Sequence, residues 1–333
     1  MTKKPKISVA VITYNQQEVL REALDSVLMQ QGDFDIEIII GEDGSKDNTY
    51  AVCLDYQKQY PDIIKILHNP KNIGITANFF QVLRACTGDF IADLDGDDYY
   101  CDSQAFQKQL NYFEQHPDVG VLAPNGYSYY VKRNKKVLGL NQKVAEVDAK
   151  QFFFNPNYSG GVIFRGGGPM WRSELLKYLD YDEMLRRQLP VEDYPIQAIW
   201  SQHTKFAWLP DPLVVYRVYS SSSTYVPVTH PKYLSYHKGL MDTRRYLNEL
   251  FPADACFTEE WMQDYEFYKE YLLYLHKWQY KKAKELLVRA SQTKAVGQPH
   301  YLQAKRMTTS WPKFVVFAIY KELSYRKDLK NRT

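Results

Sequence analysis

Residues 88–98 read GDFIADLDGDD, and this stretch decides the fold class. Its first part is a short apolar run that is typical of a buried strand. Its second part carries Asp93, Asp95, Asp97 and Asp98, with no Lys or Arg among them. Crowded carboxylates repel one another unless a cation lies between them, and hard divalent metals prefer several oxygen ligands. Since open α/β sheets bind ligands at the carboxyl ends of their strands, the stretch predicts a ligand-binding edge of a parallel sheet.

The sequence around this stretch alternates strand-like and helix-like segments. Continuous apolar runs indicate strands buried on both faces, and apolar residues at helical spacing indicate packed helices. Such alternation is typical of βαβ units, so the predicted class is α/β with a mostly parallel sheet flanked by helices. The predicted strands are 7–12, 36–40, 63–67, 88–94 and 119–123, and the predicted helices are 18–30, Asp47 to Tyr60, 76–86 and Asp102 or Ser103 to the residue before Pro117.

The alternation is lost after about residue 126. Residues 127–140 resemble a β-hairpin that turns at 133–135, and a helical region rich in Tyr, Lys and Glu begins at about residue 231. We therefore expect three regions, 1–125, 126–230 and a helical extension at 231–333.

Composition and charge exclude several classes of protein. The net charge of the 333 residues is only +3, too small to indicate nucleic-acid binding, so no nucleic-acid partner is expected. The four cysteines show no CxxC spacing, which favours a reducing cytosol over a disulfide framework or a zinc site. The first residues lack the apolar stretch of a signal peptide, and the apolar run 314–320 is shorter than the ~20 residues that span a bilayer.

Two other polar loops also follow predicted strands, at 13–15 and 42–45. In a doubly wound sheet they would lie beside the 95–98 loop and could hold a base, a ribose and a metal-bound diphosphate. Each acidic-glycine pair, by itself, also fits an ordinary turn. The chain has neither a G-x-G-x-x-G fingerprint after its first strand nor a P-loop, so a metal is the natural way to neutralise a diphosphate.

Four stretches in order make the first 125 residues resemble family 2 of the inverting glycosyltransferases, which have the GT-A fold. These stretches are ISVAVITYN at 7–15, EDGSKDNT at 42–49, NIGITAN at 72–78 and TGDFIADLDGDD at 87–98. Glu42 stands where Asp is common in that family. The resemblance implies donor contacts from Thr13, Tyr14, Asn15, Asp43, Gly44, Asp95 and Gly96, with Asp43 near the base and Asp95 near the ribose, and Mn²⁺ or Mg²⁺ bound by Asp97.

The later part of the chain resembles the family less closely. VEDY at 191–194 is similar to the Glu-Asp motif, so Asp193 is expected to be the general base and Glu192 to contact the acceptor. RGGGPMW at 165–171 is similar to the loop that precedes it, so Gly167, Gly168 and Trp171 are expected to bind the acceptor. VYRVYS at 215–220 resembles a tyrosine-arginine segment that places Arg217 on the diphosphate, although many relatives have His where Tyr219 stands. A Gly-rich turn, a helix-starting acidic pair and a structural arginine remain the alternatives.

The resemblance implies a nucleotide-sugar-binding half at 1–125 and an acceptor-binding half at 126–230. It implies transfer of a sugar from a nucleotide sugar, commonly a UDP-sugar, to a glycan or lipid-linked oligosaccharide, with inversion. The expected location is cytoplasmic, and a peripheral position at the inner face of the cell membrane is the alternative that a lipid-linked acceptor favours.

Two alternative functions are still open. A nucleotidyltransferase usually has a Gly- and basic-rich loop after its first strand, whereas residues 14–17 read YNQQ. A noncatalytic glycan- or membrane-binding protein with a relic site would show no turnover of substrate.

Residues 304–333 carry eight Lys or Arg against two acids, a net charge of +6. They fit either a helix packed on the protein or one lying on anionic lipid.

Overall fold

A computed structural model describes residues 4–139, 146–154, 167–219, 226–293 and 295–332. The chain divides into two units. The first takes the described residues of Met1–Phe153, Tyr158–Arg186 and Glu192–Val218, and the second takes those of Phe154–Asn157, Arg187–Val191 and Tyr219–Thr333. Within these described ranges, no helix has both the length and the apolar character needed to cross a membrane. The functional roles expected of 1–125, 126–230 and 231–333 stay predictions.

The first unit contains all ten described strands and seven helices. The strands are β1 (Lys6–Thr13), β2 (Asp35–Glu42), β3 (Ile64–His68), β4 (Phe90–Asp95), β5 (Tyr99–Tyr100), β6 (Val119–Tyr130), β7 (Lys135–Leu138), β8 (Glu146–Val147), β9 (Met170–Arg172) and β10 (Lys205–Val218). The helices are α1 (Leu20–Leu28), α2 (Thr49–Gln59), α3 (Ile75–Ala85), α4 (Ala105–Gln115), α5 (Ala149–Phe153), α6 (Tyr181–Arg186) and α7 (Asp193–Trp200).

The strands form one sheet in the order β3-β2-β1-β4-β9-β6-β10-β5, with β7 beside β6 and β8 beside β10. The long pairings, β1 with β2 and β4, β2 with β3, and β6 with β10, are parallel. The antiparallel pairings are short. The predicted α/β class with a mostly parallel sheet is therefore confirmed.

The register of β1 brings the polar strand ends together. Ile12 pairs with Asp95 of β4 on one side, and Thr13 pairs with Glu42 of β2 on the other. The apolar residues before these ends are buried in the main core, which explains why the sequence shows unbroken apolar runs there. Thr13, Glu42 and Asp95 consequently end three neighbouring strands at one edge of the sheet.

Strand β6 is longer than predicted. The expected strand stops at 123 and the pattern changes after 126, but β6 runs unbroken to Tyr130. Gly126 interrupts the strand-like sequence of β6. Glycine is needed there because a Cβ would lie 2.5 Å from the carbonyl oxygen of Val214 in β10. The predicted hairpin is confirmed as β6 and β7, which turn through a short 3₁₀ segment and Asn134 at φ 46°.

Strand β9 was not predicted from the sequence. It has only three residues and lies antiparallel between β4 and β6. The start of α4 was also placed too early, because Asp102 precedes the helix and its Oδ1 accepts a hydrogen bond from the Gln104 amide instead of opening the helix itself.

The second unit is helical, as expected. Its helices are α8 (Tyr233–Leu250), α9 (Glu259–His276), α10 (Tyr280–Ala290), α11 (Pro299–Met307) and α12 (Trp311–Arg332). Helices α9 and α10 are separate, because Trp278 between them adopts φ 57°, which an α-helix does not allow. Helices α9 to α12 share one apolar core that includes Phe267, Tyr271, Phe314 and Phe317.

Candidate active site

The loops after β1 and β2 are tied to each other by hydrogen bonds. The Asn15 amide donates to Oγ of Ser45 at 2.9 Å, and Oδ1 of Asn15 accepts from the Lys46 amide at 2.8 Å. Asn15 and Gly44 adopt φ 55° and 66°, and a Cβ on Gly44 would lie 2.6 Å from the carbonyl carbon of Lys71. Short-range contacts therefore shape this part of the edge before any ligand binds.

Asp43 connects the edge to the segment that follows β3. Its carboxylate is 2% exposed and accepts hydrogen bonds from the Ile73 amide at 2.8 Å, the Gly74 amide at 3.0 Å and the Asn69 side chain at 3.3 Å. A carboxylate has about four acceptor positions, so one can still take an N–H of a base. The contact between Asp43 and the base stays a prediction.

Thr13 and Gly96 pack together at the end of β1. The Thr13 hydroxyl donates to Oε1 of Gln16 at 2.8 Å, and a Cβ on Gly96 would lie 2.5 Å from that same oxygen. The acidic loop can therefore approach β1 closely only because residue 96 is glycine. Beside it, the Tyr14 side chain is exposed.

Asp98 is the functional candidate that sequence reasoning missed. Its side chain is fully buried; Oδ2 accepts from the Gly167 amide at 3.0 Å and Oδ1 accepts from the Arg217 amide at 2.8 Å. One carboxyl group thus joins the acidic loop, the Gly167–Gly168 segment and the end of β10. Four aspartates close together gave no signal for which of them points inward.

Arg217 lies against the acidic loop, as expected, but its guanidinium is already engaged. It donates to the backbone carbonyl of Asp97 and to the carboxylate of Glu22, and it stacks 4.7 Å from the centre of the Tyr99 ring. This arrangement favours the structural reading of Arg217. Its predicted contact with a diphosphate stays a prediction.

Glu192 and Asp193 stand at the beginning of α7. Oε2 of Glu192 accepts a hydrogen bond from the Thr76 hydroxyl at 3.0 Å, and Oδ1 of Asp193 accepts from the Tyr194 amide at 2.8 Å. Thr76 is in the first turn of α3, next to the segment that Asp43 holds. The pair is therefore brought beside the carboxyl edge of the sheet from a distant part of the sequence.

The electrostatics show that the acidic groups form one cluster. Burial, followed by the charges of Asp97 and Asp193, raises the pKa of Asp95 to about 7. Burial, followed by the charge of Asp193, raises the pKa of Glu192 to about 8. Burial raises the pKa of Asp193 to about 6, and it raises the pKa of Asp93 well above its usual range. The carboxyl groups of β4 and those at the start of α7 therefore interact electrostatically and belong to one site.

The predicted acceptor residues lie in two different settings. Gly168 adopts φ 102°, donates its amide to the Asp93 carbonyl at 2.7 Å and accepts from Nε2 of Gln109 at 2.8 Å. Gly167 lies against Leu94 and Asp98. Trp171, by contrast, is 4% exposed in β9 and packs 5.1 Å from the Trp200 ring, in the core. Acceptor binding by these residues stays a prediction.

Comparison with known proteins gives the family. Residues 8–174 match the profile described as Glycosyl transferase family 2, which is half of the chain. The chain belongs to glycosyl transferase family 2.

Relatives within and near this family agree with the match. The chain is 34% identical over 116 residues to the putative glycosyltransferase EpsE of Bacillus subtilis, covering 35% of this chain and 41% of EpsE. It is 39% identical over 115 residues to the uncharacterized protein Rv1520 of Mycobacterium tuberculosis, covering 34% and 33%. The match thus spans about a third of the length of such relatives.

One solved structure shares the fold over most of the chain. It is S. aureus TarS 1–349 in complex with UDP-GlcNAc, which superposes with a TM-score of 0.55 at 17% identity and covers 91% of this chain and 90% of that one. The expected GT-A architecture of this family 2 member is therefore confirmed at the level of the fold.

The donor set of this family 2 site suits a divalent metal shared with a substrate. Within the described ranges, no three His, Cys, Asp or Glu side chains are arranged to hold a metal by themselves. Mg²⁺ is usually bound by one or two carboxylates together with substrate phosphates, so such a protein cage is not required. Burial raises the pKa of Asp97, and burial followed by the charges of Asp97 and Asp193 raises the pKa of Asp95. Carboxylates that repel one another in this way are suited to bind a cation between them.

We expect Asp98→Ala to destabilise the first unit. The change leaves two amides without their acceptor, at a cost of about 1–3 kcal/mol each, whereas Asp98→Asn keeps one acceptor oxygen and should cost less. Urea unfolding of the two variants measures the difference. Unfolding free energies within about 0.5 kcal/mol of the wild type for Asp98→Ala would show that the carboxyl group does not hold the three segments together.

Proposed function

We propose that the protein transfers a sugar, with inversion, from a nucleotide sugar to a hydroxyl group of a glycan or lipid-linked oligosaccharide, in a metal-dependent reaction. The observation that carries this proposal is the electrostatic coupling of Asp193 to the acidic loop after β4. Burial, followed by the charges of Asp97 and then Asp193, raises the pKa of Asp95, so the proposed base lies within electrostatic reach of the proposed donor site. Membership of glycosyl transferase family 2 supports the reaction class.

The proposed chemistry is a single displacement. The acceptor hydroxyl oxygen forms a bond to the anomeric carbon while the bond from that carbon to the diphosphate oxygen breaks, and the hydroxyl proton passes to Asp193. Because the nucleophile enters opposite the leaving group, the anomeric configuration inverts. The hydrogen bond from the Tyr194 amide fixes one carboxylate oxygen of Asp193, which leaves the other to take the proton.

Asp97, with Asp95 beside it, would hold Mn²⁺ or Mg²⁺. When bound, the metal supplies a positive charge that stabilises the leaving diphosphate. The protein contributes the arrangement of these carboxylates, which depends on Gly96 for its approach to β1 and on Asp98 for its attachment to β10.

The proposed donor is a UDP-sugar, bound by Thr13, Tyr14, Asn15, Asp43 and Gly44. Support comes from the structure of TarS, which was solved with UDP-GlcNAc. Gly167, Gly168 and Glu192 are proposed to face the acceptor. We place the reaction in the cytoplasm, at the inner face of the cell membrane, where a lipid-linked acceptor would be reached; the free cysteines among the described residues agree with a reducing compartment.

A thermal-shift experiment with UDP-, GDP-, dTDP- and CMP-sugars, each with Mn²⁺ or with EDTA, tests the donor site. A ligand that binds only the folded protein raises the melting temperature by mass action. We expect a manganese-dependent rise with UDP-sugars. No rise with any nucleotide would favour the alternative of a noncatalytic protein with a relic site, and release of pyrophosphate from a nucleoside triphosphate would favour a nucleotidyltransferase.

The rate of transfer should depend on pH through Asp193. A general base must be deprotonated to accept a proton, and burial raises the pKa of Asp193 to about 6. With metal and donor saturating, we therefore expect kcat to change little above about pH 6 and to fall about tenfold per pH unit below it. A profile of kcat from pH 4 to pH 8 at saturating metal and donor measures this. A rate that stays constant down to pH 4 would contradict Asp193 as the base.

A further inference from the structure

The outer face of α12 is apolar and uncovered. Val316, Ile319, Tyr320 and Leu323 follow the helical spacing i, i+3, i+4, i+7, so they share one face. Their exposed fractions are 68%, 45%, 64% and 62%. Trp311, at the start of the helix, is 60% exposed. Exposed apolar residues are ordinary when single, but four in one register form a continuous surface.

This face is not part of the protein core. The opposite face of α12 carries Phe314, Phe317 and Ala318, which are buried in the core shared with α9, α10 and α11. A helix at the surface of a globular protein needs only one apolar face, and a helix that is apolar all round is normally covered on every side. The outer face of α12 is therefore available to something outside the second unit.

Basic residues adjoin the apolar ones on the same helix. Lys313 is exposed three residues before Val316, and the sequence after Leu323 carries Arg326, Lys327, Lys330 and Arg332 against the single acid Asp328. Residues 304–333 have a net charge of +6, twice that of the whole chain. Basic residues placed at both ends of an apolar stripe complement a negatively charged partner.

We propose that the outer face of α12 binds an anionic lipid surface. Val316, Ile319 and Leu323 would enter the boundary between headgroups and acyl chains, with the helix lying in the plane of the surface. Tyr320 has the apolar ring and polar edge that favour this depth. The lysines would meet the headgroup phosphates. A soluble protein partner would also cover an apolar face, but the basic residues favour lipid.

This proposal goes beyond the transfer reaction and does not depend on it. It would hold the protein at the surface that carries a lipid-attached acceptor. The face belongs to the second unit, and the proposed catalytic residues belong to the first. Binding to vesicles is measured without any donor or acceptor, so its failure leaves the proposed reaction untouched.

Sedimentation with vesicles tests whether the protein binds an anionic lipid surface. Full-length protein is mixed with vesicles of phosphatidylcholine alone or of phosphatidylcholine with phosphatidylglycerol, at low and high salt. We expect binding to the anionic vesicles only, weakened by salt. The double variant V316E/L323E should bind at least about ten-fold more weakly, because two apolar side chains that would enter the lipid are replaced by charges that the surface repels.

Val288→Glu provides the matched control. Val288 is 67% exposed on α10, where Lys284, Glu285 and Arg289 are its exposed helical neighbours, so V288E repeats outside the stripe the change that V316E, one of the two changes in the double variant, makes within it. We expect V288E to bind vesicles like the wild type, and circular dichroism to show all variants folded. Equal binding by V316E/L323E and the wild type would overturn the proposal. The proposal would also be overturned if the wild type did not bind anionic vesicles but formed a dimer, and if V316E/L323E abolished that dimer. A second copy of the chain would then cover the face.

Discussion

Asp193→Asn is expected to lower kcat by about 10²–10⁴-fold while nucleotide-sugar binding stays close to that of the wild type. Asparagine keeps the size of the side chain and can still accept the hydrogen bond from the Tyr194 amide, but it cannot take a proton from the acceptor. Removing one negative charge from the acidic cluster should not lower the free energy of unfolding of the protein without ligand, because burial already disfavours the charged form of Asp193. Transfer is measured by release of the nucleoside diphosphate, and donor binding by calorimetry.

Asp182→Asn is the control for this variant. Asp182 also lies in the first turn of a helix and accepts a hydrogen bond, from Arg84, but its side chain is exposed. Its transfer rate should match that of the wild type. If Asp193→Asn turned over normally, the base would have to be another group, and the neighbouring Glu192 would be the first to examine.

Asp97→Ala is expected to abolish the metal-dependent part of donor binding. In the wild type, a donor at about one hundred times its Kd should stabilise the protein by about 2.7 kcal/mol, and this gain should disappear in the variant. Burial raises the pKa of Asp97, and the charge of Asp97 adds to the effect of burial in raising the pKa of Asp95, so the variant without ligand should be at least as stable as the wild type. Melting temperatures with Mn²⁺, with Mn²⁺ and donor, and with EDTA separate the two effects.

The exposed residue Asp118 offers the comparison. It forms an ion pair with Lys205 at 2.7 Å on the surface, and such pairs contribute about 0–1 kcal/mol. Asp118→Ala should therefore keep the full manganese-dependent shift. A normal shift in Asp97→Ala would place the metal elsewhere or remove it from the proposed reaction.

The sequence predicted the first half of the fold because its signals there are local. Strands β1, β2 and β4 are buried on both faces, and such strands leave unbroken apolar runs. The polar residues that end them, from Thr13 to Asp95, could be placed at one edge because parallel strands share a direction. The short β9 and the extension of β6 left no such signal, since they are fixed by contacts with distant strands.

The site was predictable by residue type and less so by geometry. Asp98 binds amides that lie 69 and 119 residues further along the chain, so its inward position could not follow from its neighbours. Trp171 illustrates the opposite case, because its motif suggested a substrate contact while its three-residue strand places it in the core. Arg217 was expected near the diphosphate, and its bond to Glu22 joins residues 195 positions apart.

The hydrogen bonds between the loops after β1 and β2 have an evolutionary consequence. They use the amides of Asn15 and Lys46 and the side chains of Asn15 and Ser45, so the side chains of Tyr14 and Lys46 take no part in them. Mutational drift at those two positions would leave the scaffold of the edge intact. Tyr14 is a proposed donor contact, so directed evolution at this position would test whether donor preference can change while the loops keep their hydrogen bonds.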